Sequence, residues 1–514
     1  MKDDDQFDVV VVGAGPAGCV LARRLTEDPG RTVVLVEAGP DYGPDSAAWP
    51  ADLRYPDEIF LESHSWGYLH AGRPADRPLP LPRARVVGGS SAVNGCIWLR
   101  GSAADYDGWA ALGNPGWSFA ELLPYFQRSE TDPLGGPLHG TEGPVPVERV
   151  TEADLSPLDQ ALVVAAAKLG FPWLPDLNGD LVQRPCVGPT PKNVADGVRM
   201  HAAFTYLAPA RQRSNLTLIP DTLVNRVCVE DGHAVGVMTA DGREVYGRQV
   251  VLCGGAYGSP AILLRSGIGP AAGLQELDLP VVANRPGVGT HLLDHPLVTF
   301  TNGDEFAPYV VNPEYAPTTA FAVPTILKAR SHQTVEEVDL YLIHGHYWEE
   351  ERERWVAWFE LNLDVAPSQG RVRLTALDPE APLDIDHAYL SDSWELEACC
   401  DGVELIKRLV TTRPLADALD PIPGLVPEWN NREALRTWVR EHVVTSFHPS
   451  STCRMGPDAN PEAVVDHAGR VYGVAGLRIA DASIFPTSVR ANPHCTVIAV
   501  AEKLADAIRH EDRG

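Results

Sequence analysis

The first forty residues alternate between apolar runs and a glycine turn. Residues 7–12 are mostly valine, and a turn with three glycines follows, Gly13, Gly15 and Gly18. A second apolar run, Val33 to Val36, ends at the acid Glu37. Short apolar runs bounded by glycine are typical of buried parallel strands, and the spacing leaves room for one helix between them. The pattern therefore predicts a strand, a tight turn, a helix and a second strand.

Further along the chain, the same patterns predict two more groups of elements. Strands are expected at 216–219, 224–229, 234–238 and 249–253, the last leading through a glycine turn at 254–260 into an apolar helix. Alternating apolar segments predict an antiparallel sheet with one face covered, at 338–343, 355–365 and 370–377. Helical periodicity indicates three helices, at 156–170, 392–412 and 431–442.

The C-terminal region repeats the order of strand, turn and helix predicted at the start of the chain. A strand at 476–480, a turn at 481–486 and a helix from 493 to 508 follow one another. This return indicates one nucleotide-binding domain assembled from separated segments, with the insertions forming a substrate-facing lobe. The fold class predicted is α/β (α+β overall), with a Rossmann-like domain and a second domain of antiparallel sheet and helices.

The opening turn has the residues that a dinucleotide site needs. Gly13 permits the turn, Gly15 lets the main chain approach a pyrophosphate, and Gly18 allows helix and strand to pack closely. Glu37 lies 37 − 18 = 19 residues after the last glycine, near the roughly 20 expected for a ribose-binding acid. The motif favours an adenine dinucleotide over a turn that only looks similar, but does not distinguish FAD from NAD.

Two other glycine-rich turns extend this interpretation. One runs from Arg83 to Gly95 and is expected to open another helix, and the other is the turn at 254–260. Each can bring backbone N–H groups against phosphates or a planar ring. Three such turns exceed what an NAD site requires, so we favour FAD buried along its length over independent structural turns.

Length, charge and cysteine content narrow the class of protein. A chain of 514 residues is too long for a single core, and its net charge of −27 argues against nucleic acid or an anionic membrane as partner. No apolar run approaches 18 residues, and the acidic N-terminus lacks the pattern of a secretory signal. Nine scattered cysteines resist a full disulfide framework. These features predict a cytoplasmic protein without a membrane span.

Candidate chemistry concentrates near the C-terminus. His448 lies in a segment without periodicity, and histidine is the usual side chain for proton transfer near neutral pH. Asn492 follows 492 − 448 = 44 residues later, where its amide can cap a helix or hold a substrate hydroxyl. His344 and His346 share one face of a predicted strand. No third metal ligand is evident near them, so we prefer a polar lining of the substrate lobe, or the surface, and expect no metal.

Five separated segments make the whole chain resemble the glucose–methanol–choline (GMC) family of FAD oxidoreductases. They are the opening turn with Glu37, Arg85 to Asn94, Gly255 to Gly269, Pro286 to Pro296, and His448 to Asn492. The resemblance implies an FAD-binding domain at 1–150, 199–300 and 446–514. It implies a substrate-binding domain at 151–198 and 301–445.

The resemblance also implies roles for individual residues. His448 matches the family's catalytic base, which accepts the alcohol proton while hydride passes from the carbinol carbon to flavin N5, and Asn492 matches its partner. The implied cofactor-binding residues are Gly13, Gly15, Gly18, Glu37, Arg85, Gly88, Gly89, Ser90, Asn94, Val224, Gly255, Asp481, Ala482, Pro493 and Thr496.

Three positions depart from the family pattern or leave it open. Members with covalent flavin carry a histidine directly before the Asn of the second turn, where this chain has Val93, so noncovalent FAD is expected. Ser451 replaces a frequent glycine in the loop on the flavin side. His494 competes with Asn492 for the partner role, although Asn492 fits the register of the motif.

The function expected is FAD-dependent oxidation of a small-molecule alcohol to a carbonyl, with O2 or another acceptor receiving the electrons. The sequence does not distinguish an oxidase from a dehydrogenase, and it does not indicate the oligomeric state. The alternative is a flavoprotein of the same fold without net alcohol oxidation, of the lyase or photodecarboxylase type. The presence of both His448 and Asn492 favours alcohol oxidation.

Overall fold

The computed structural model of this chain describes residues 6–56, 63–71, 78–179, 184–300, 308–317, 321–334, 337–365, 367–423 and 431–511. Within these residues, the α-helices are Pro16–Leu25, Ala51–Arg54, Ala103–Ala111, Phe119–Ser129, Pro157–Lys168, Ala208–Ala210, Gly255–Arg265, Ala271–Glu276, Ser393–Val410, Leu415–Ala418, Arg432–His442 and Pro493–Glu511. The predicted helices at 156–170, 392–412 and 431–442 are therefore confirmed to within a few residues. Among the described helices, none combines the length and apolar character needed to cross a membrane.

A mixed sheet of seven described strands forms the frame of one half of the molecule. Its spatial order is Leu216–Ile219, Val33–Val36, Phe7–Val12, Glu244–Leu252, His233–Thr239 and Val224–Glu230, with Leu477–Ile479 beside Glu244–Leu252. The strands 7–12, 33–36, 216–219, 244–252 and 477–479 pair in parallel, and the remaining two are antiparallel. The opening strand therefore lies in the centre, as its run of valines predicts.

The other half contains an antiparallel sheet of nine described strands. They are Cys186–Pro189, Pro296–Thr299, Tyr309–Val311, Phe321–Ala322, Thr325–Ala329, Leu340–Glu349, Arg354–Leu363, Leu419–Pro421 and Val443–Thr445. A third sheet contains Leu69–His70, Leu79–Pro80, Thr290–Leu292, Gly370–Leu374 and Leu383–Asp386. The two-stranded pairs are Glu130–Thr131 with Val145–Pro146, Val194–Ala195 with Val198–Arg199, and Ile268–Gly269 with Ala283–Asn284.

Each half of the molecule has its own large apolar cluster. The first surrounds the parallel strands and is covered by helices Pro16–Leu25 and Pro493–Glu511, so the two ends of the chain pack against each other. The second lies between the nine-stranded sheet and helices Pro157–Lys168, Ser393–Val410 and Arg432–His442. The α/β class, with a Rossmann-like half and an antiparallel half, is confirmed.

Two expectations about glycine turns were wrong in detail. The turn from Arg83 to Gly95 opens only a 3-10 helix, Gly89–Ala92, because Gly88 and Gly89 adopt positive φ angles of 99° and 53°. Such angles interrupt a right-handed helix. The turn at 254–260 does not precede its helix. Helix Gly255–Arg265 already begins within it.

The expectation of one sheet for residues 338–377 was also wrong. Leu340–Glu349 and Arg354–Leu363 form a hairpin, but Gly370–Leu374 pairs with Thr290–Leu292 and Leu383–Asp386 in the third sheet. The hairpin is buried on both faces rather than one, because helices cover one face and the first half of the molecule closes over the other. Alternation identifies the faces of a strand, but not its neighbours.

We predict that Gly18→Ala destabilises the protein. A Cβ at this position would lie 1.9 Å from the carbonyl oxygen of Gly13. The backbone of both glycines is held in place where the helix meets the strand. Overpacking of this kind costs about 1–3 kcal/mol, which lowers the thermal midpoint by about 1–3 °C in a chain of 514 residues. Differential scanning calorimetry measures the shift.

Gly108→Ala is the matched control. Gly108 lies inside helix Ala103–Ala111, and apart from its chain neighbours and the helix's own backbone, no atom of the described residues lies within 4 Å of the position that its Cβ would occupy. Because alanine is the better helix former by about 1 kcal/mol, the thermal midpoint should stay unchanged or rise. Equal losses in both variants would show that the Gly18 contact is not the cause.

Candidate active site

A cavity of about 710 Å³ lies between the two halves of the molecule. On one side it is bounded by residues at the carboxyl ends of the parallel strands, Gly13, Glu37, Cys253 and Asp481. On the other side it is bounded by the nine-stranded sheet, through Leu297, Ile343, Trp358, Glu360 and Asn362. The carboxyl ends of parallel strands are the usual place for a ligand in an α/β sheet.

The first two glycine turns meet at one wall of this cavity. A Cβ on Gly89 would lie 2.7 Å from the Cα of Gly15, and a Cβ on Gly13, whose φ is +97°, would lie 2.6 Å from the carbonyl oxygen of Cys253. Gly15 caps helix Pro16–Leu25 without a side chain, so the N–H groups of the first turn face the cavity rather than a capping oxygen. This cradle of bare backbone suits a pyrophosphate.

Glu37 is fixed by the backbone beside this cradle. Its carboxylate accepts hydrogen bonds from the N–H groups of Ala14 at 2.7 Å and Gly39 at 2.9 Å. Burial raises the pKa of Glu37 to about 7, while these backbone donors favour the charged form. Each carboxylate oxygen keeps a lone pair, so the group can still accept a hydrogen bond from a ribose hydroxyl.

Most of the residues implied as cofactor-binding line the cavity. They are Gly13, Gly15, Glu37, Arg85, Gly89, Ser90, Asn94, Val224, Gly255, Asp481, Ala482 and Pro493. Val93 also lines it, next to Asn94. The cavity therefore has the glycine walls and the ribose acceptor that an FAD molecule requires, and the residues fit that cofactor.

Three of the implied residues lie outside the cavity lining. Gly18 packs against Gly13, and Gly88 lies beside His201 and Ala203. The hydroxyl of Thr496 is 2.8 Å from that of Tyr106 and is fully buried in the helix Pro493–Glu511. These three support the walls rather than form them.

His448 lies at the end of the cavity near the nine-stranded sheet, and two side chains hold its ring. Its Nε2 is 3.0 Å from Nδ2 of Asn492, and its Nδ1 is 2.9 Å from Nδ1 of His295. Burial, reinforced by the nearby charges of His295 and Arg83, holds the pKa of His448 well below 6.5. The imidazole is therefore neutral at pH 7 and can accept a proton.

The backbone around His448 is held by one buried carboxylate. Asp294 Oδ1 accepts the backbone N–H of His448 and that of His295, each at 2.9 Å. Its Oδ2 accepts the hydroxyls of Tyr389 and Thr445, each at 2.6 Å. Our sequence analysis assigned no role to Asp294 or His295. Their membership in a family-like segment was the only signal.

Asn492 is placed by a second contact. Its Oδ1 accepts a hydrogen bond of 3.3 Å from the hydroxyl of Tyr341, which directs its amide nitrogen at His448. His494, by contrast, lies 3.4 Å from Asn94 and edge-on to Trp98. The geometry brings Asn492, not His494, to the ring of His448.

Ser451 adopts a backbone conformation that explains the frequent glycine at its position. Its φ is 72°, in the left-handed region where a Cβ is strained, and its N–H donates to the carbonyl of Ala482 at 3.1 Å. Strain of this type persists where the surrounding contacts impose it, and it clusters at functional sites. Ser451 therefore keeps the glycine-like geometry at an energetic cost.

His344 and His346 lie neither on the surface nor in the cavity lining. They face away from the cavity, and both are nearly fully buried, at 3% and 0% exposure. Asp159 Oδ1 of helix Pro157–Lys168 lies 3.0 Å from His344 and 3.9 Å from His346. The preferred interpretations, a lobe lining or surface residues, were wrong because the hairpin is covered on both faces.

One cluster with metal-ligand side chains is Glu130, Asp132 and His139. Arg100 forms an ion pair with Glu130, and Arg149 donates to Asp132 at 2.6 Å. Burial lowers the pKa of His139, but its hydrogen bonds to Asp132, Asp176 and Glu130 outweigh burial and raise this pKa to about 10, so the ring is a cation rather than a metal ligand. The cluster is a buried ion-pair network.

Comparison with known proteins identifies the family. Two models described as GMC oxidoreductase match residues 7–297 and 366–501. The oxygen-dependent choline dehydrogenase of Yersinia pseudotuberculosis is 36% identical, covering 98% of this chain and 94% of the relative. That of Pseudomonas savastanoi pv. phaseolicola is 36% identical over 99% of this chain and 94% of the relative.

Solved structures agree with this similarity. Pyridoxine 4-oxidase from Mesorbium loti superimposes with a TM-score of 0.87 at 30% identity, covering 98% of this chain and 99% of its own. A fungal aryl-alcohol oxidase gives a TM-score of 0.80 at 25% identity, covering 99% and 100%. With the cavity and its glycine turns, these matches show that the chain belongs to the GMC oxidoreductase family and is an FAD-dependent enzyme acting on CH–OH groups.

Proposed function

We propose that this enzyme oxidises its alcohol with His448 as general base and Asn492 as its partner, beside noncovalently bound FAD. The observation that supports the proposal is the 3.0 Å contact of these two side chains in the wall of a cavity that also contains the glycine turns. When bound, FAD supplies the hydride acceptor at N5. The residues of the chain must then orient the alcohol and take its proton.

The hydrogen bonds around His448 fix its tautomer. Because Asn492 Oδ1 accepts from Tyr341, its amide nitrogen donates to Nε2 of His448, which must carry a lone pair. The proton of the neutral ring is then on Nδ1, and it donates to Nδ1 of His295. His295 thus keeps Nε2 of His448 in the form that accepts a proton.

An alcohol between the two side chains meets complementary groups. Its hydroxyl takes the place of the Asn492 amide as the donor to Nε2 of His448, and its oxygen accepts a hydrogen bond from the Asn492 amide. Proton transfer to His448 leaves alkoxide character on the oxygen, which eases hydride departure from the carbinol carbon. O2 or another acceptor then takes the electrons.

We also propose a division of the chain into two domains. Residues 1–150, 199–300 and 446–514 supply all seven strands of the parallel sheet, and 151–198 with 301–445 supply most of the nine-stranded sheet. Strand Pro296–Thr299 pairs with Arg354–Leu363, so we place the boundary just before Pro296. The nine cysteines are all free, which supports the proposed cytoplasmic location.

We expect His448→Ala to lower kcat/KM for alcohol oxidation by about 10²–10⁴-fold, because general-base catalysis contributes about that much. Bound flavin, read from its visible absorbance, should stay at the wild-type level. Anaerobic flavin bleaching by a panel of primary alcohols measures the reaction. A variant that keeps more than a tenth of wild-type kcat/KM would contradict the role of His448.

His494→Gln is the matched control, since His494 is half-buried like His448 and also lines the cavity. Its kcat/KM should fall less than tenfold, because its ring contacts Asn94 rather than His448. A loss as large as that of His448→Ala would transfer the partner role from Asn492 to His494.

Noncovalent attachment of FAD is tested by denaturation. Val93, at the position before Asn94, has no nucleophile, so acid precipitation should release all flavin to the supernatant. Absorbance of the supernatant and fluorescence of the pellet measure the partition. A pellet that retains flavin after denaturation in guanidinium would show a covalent bond through another side chain.

A further inference from the structure

A group of buried polar side chains lies between the nine-stranded sheet and helix Pro157–Lys168, on the side away from the cavity. His344 and His346 belong to strand Leu340–Glu349, where residues two apart share one face. Asp159 of the helix lies 344 − 159 = 185 residues before His344 in the chain and is brought beside both rings by the fold. These three side chains are at most 3% exposed. Asp159 is thus the third ligand that the sequence around the two histidines does not supply.

The polar atoms of this group have no hydrogen-bond partners among the described residues. This holds for all four ring nitrogens of His344 and His346 and for Oδ1 of Asp159. It also holds for the hydroxyl of Thr325, which is 1% exposed and which the strand register places on the same face of the sheet as His344. Buried polar atoms almost always have partners, so six unpaired ones in one place indicate a ligand.

The carboxylate of Asp159 is held in an orientation that leaves one oxygen free. Its Oδ2 accepts the hydroxyl of Ser156 at 2.6 Å and the backbone N–H of Ser156 at 3.2 Å, as part of the capping box of the helix. Its Oδ1 lies 3.0 Å from Nε2 of His344 and 3.9 Å from Nε2 of His346. One carboxylate oxygen and two imidazole nitrogens therefore surround one point.

The geometry around this point is that of ligands of a metal ion rather than of a hydrogen-bonded pair. Asp159 Oδ1 and His344 Nε2 are 3.0 Å apart, yet they are not aligned as donor and acceptor. Ligands of one ion direct their lone pairs at the ion and not at each other. Around tetrahedral zinc with bonds of about 2.0–2.1 Å, ligand atoms are roughly 3.3 Å apart. The distances of 3.0 and 3.9 Å lie on either side of this value, and a small rotation of His346 towards Asp159 brings its Nε2 to the same point.

The surroundings of the group offer no other compensation for the carboxylate. The ring of His344 contacts Phe359 edge-on, with centroids 6.1 Å apart, and that of His346 contacts Trp355 in the same way at 5.9 Å. Among the described residues, no arginine or lysine forms an ion pair with Asp159. In the cluster of Glu130, Asp132 and His139, by contrast, arginines neutralise the acids. A buried acid without such a partner is stabilised by a bound cation.

We propose that Asp159, His344 and His346 bind a divalent transition-metal ion, which we assign as Zn²⁺. Imidazole nitrogen and carboxylate oxygen are both common zinc ligands, and a water molecule can take the fourth position. The ion ties helix Pro157–Lys168 to strand Leu340–Glu349, whose opposite face carries Tyr341 and so supports Asn492. Its role is structural, and the proposal does not depend on the alcohol oxidation proposed above.

The metal content of the purified holoenzyme tests the proposal. Because the ligands are buried, the ion enters as the chain folds, so the protein is expressed in minimal medium with ZnCl2 and then passed over a chelating resin. Inductively coupled plasma mass spectrometry should find about one zinc ion per chain. In His346→Gln, which lacks one ligand, the content should fall below about 0.2 per chain, because even the loss of a residue that supports a ligand weakens metal binding by about 10- to 100-fold.

His332→Gln is the matched control, since His332 also lies beside a carboxylate, 3.4 Å from Asp401, but its side chain is 83% exposed. It should keep the zinc content of the wild type. Flavin absorbance at the wild-type level shows that a variant folds, and Asp159→Asn, which keeps an oxygen for the helix cap, replaces His346→Gln if that variant does not fold. A wild type with less than about 0.2 zinc per chain, or equal contents in the wild type and the ligand variant, would overturn the proposal.

Anomalous scattering locates the ion without any variant. Crystals of the zinc-loaded holoenzyme, measured on both sides of the zinc absorption edge, should show a peak about 2.0–2.2 Å from Asp159 Oδ1, His344 Nε2 and His346 Nε2. Ordered water molecules at these atoms with no anomalous peak, or zinc peaks confined to surface histidines, would refute the site.

Thermal unfolding tests whether the ion ties the helix to the sheet. The wild type expressed with zinc should unfold about 2–4 °C above the wild type expressed without it, since a ligand that binds only the folded state stabilises that state. This difference should disappear in His346→Gln and persist in His332→Gln. A zinc ion that is bound at the three ligands without any change in the thermal midpoint would contradict the structural role.

Discussion

The arrangement of this site depends on one buried carboxylate, that of Asp294. Its two oxygens accept four donors, the backbone N–H groups of His295 and His448 and the hydroxyls of Tyr389 and Thr445. Because a buried carboxylate that lost one of these donors would be left poorly compensated, the four groups hold their positions together. The 2.9 Å contact between the rings of His295 and His448 is a consequence, since both residues are held by the same oxygen.

This constraint connects parts of the chain that are distant in sequence. His448 follows strand Val443–Thr445 of the nine-stranded sheet, and Asn492 directly precedes the final helix, which packs on helix Pro16–Leu25. The glycine turns at the other end of the cavity come from the first ninety residues. The two ends of the chain therefore build one cavity, with the antiparallel half closing it from the other side.

The sequence was sufficient to predict those parts of the site that depend on local backbone geometry. The glycines of the first turn, Glu37 after its strand, and the helices were predictable because spacing and periodicity report directly on them. It was not sufficient to predict contacts between residues that are distant in the chain. The roles of Asp294 and His295, the placement of Gly370–Leu374 in another sheet, and the burial of His344 all depend on contacts that no local pattern contains.

Glu37 and Glu360 show why partners, more than acidity, distinguish the roles of buried acids. Burial raises the pKa of both, to about 7 and about 8, so this quantity alone would place them in one class. Glu37, however, is anchored by the N–H groups of Ala14 and Gly39, which fix it as part of the wall. Glu360 has no such anchor among the described residues. A buried acid whose hydrogen bonds come from the protein shapes the wall of a site, whereas one without such bonds in the same cavity is available to contact the ligand.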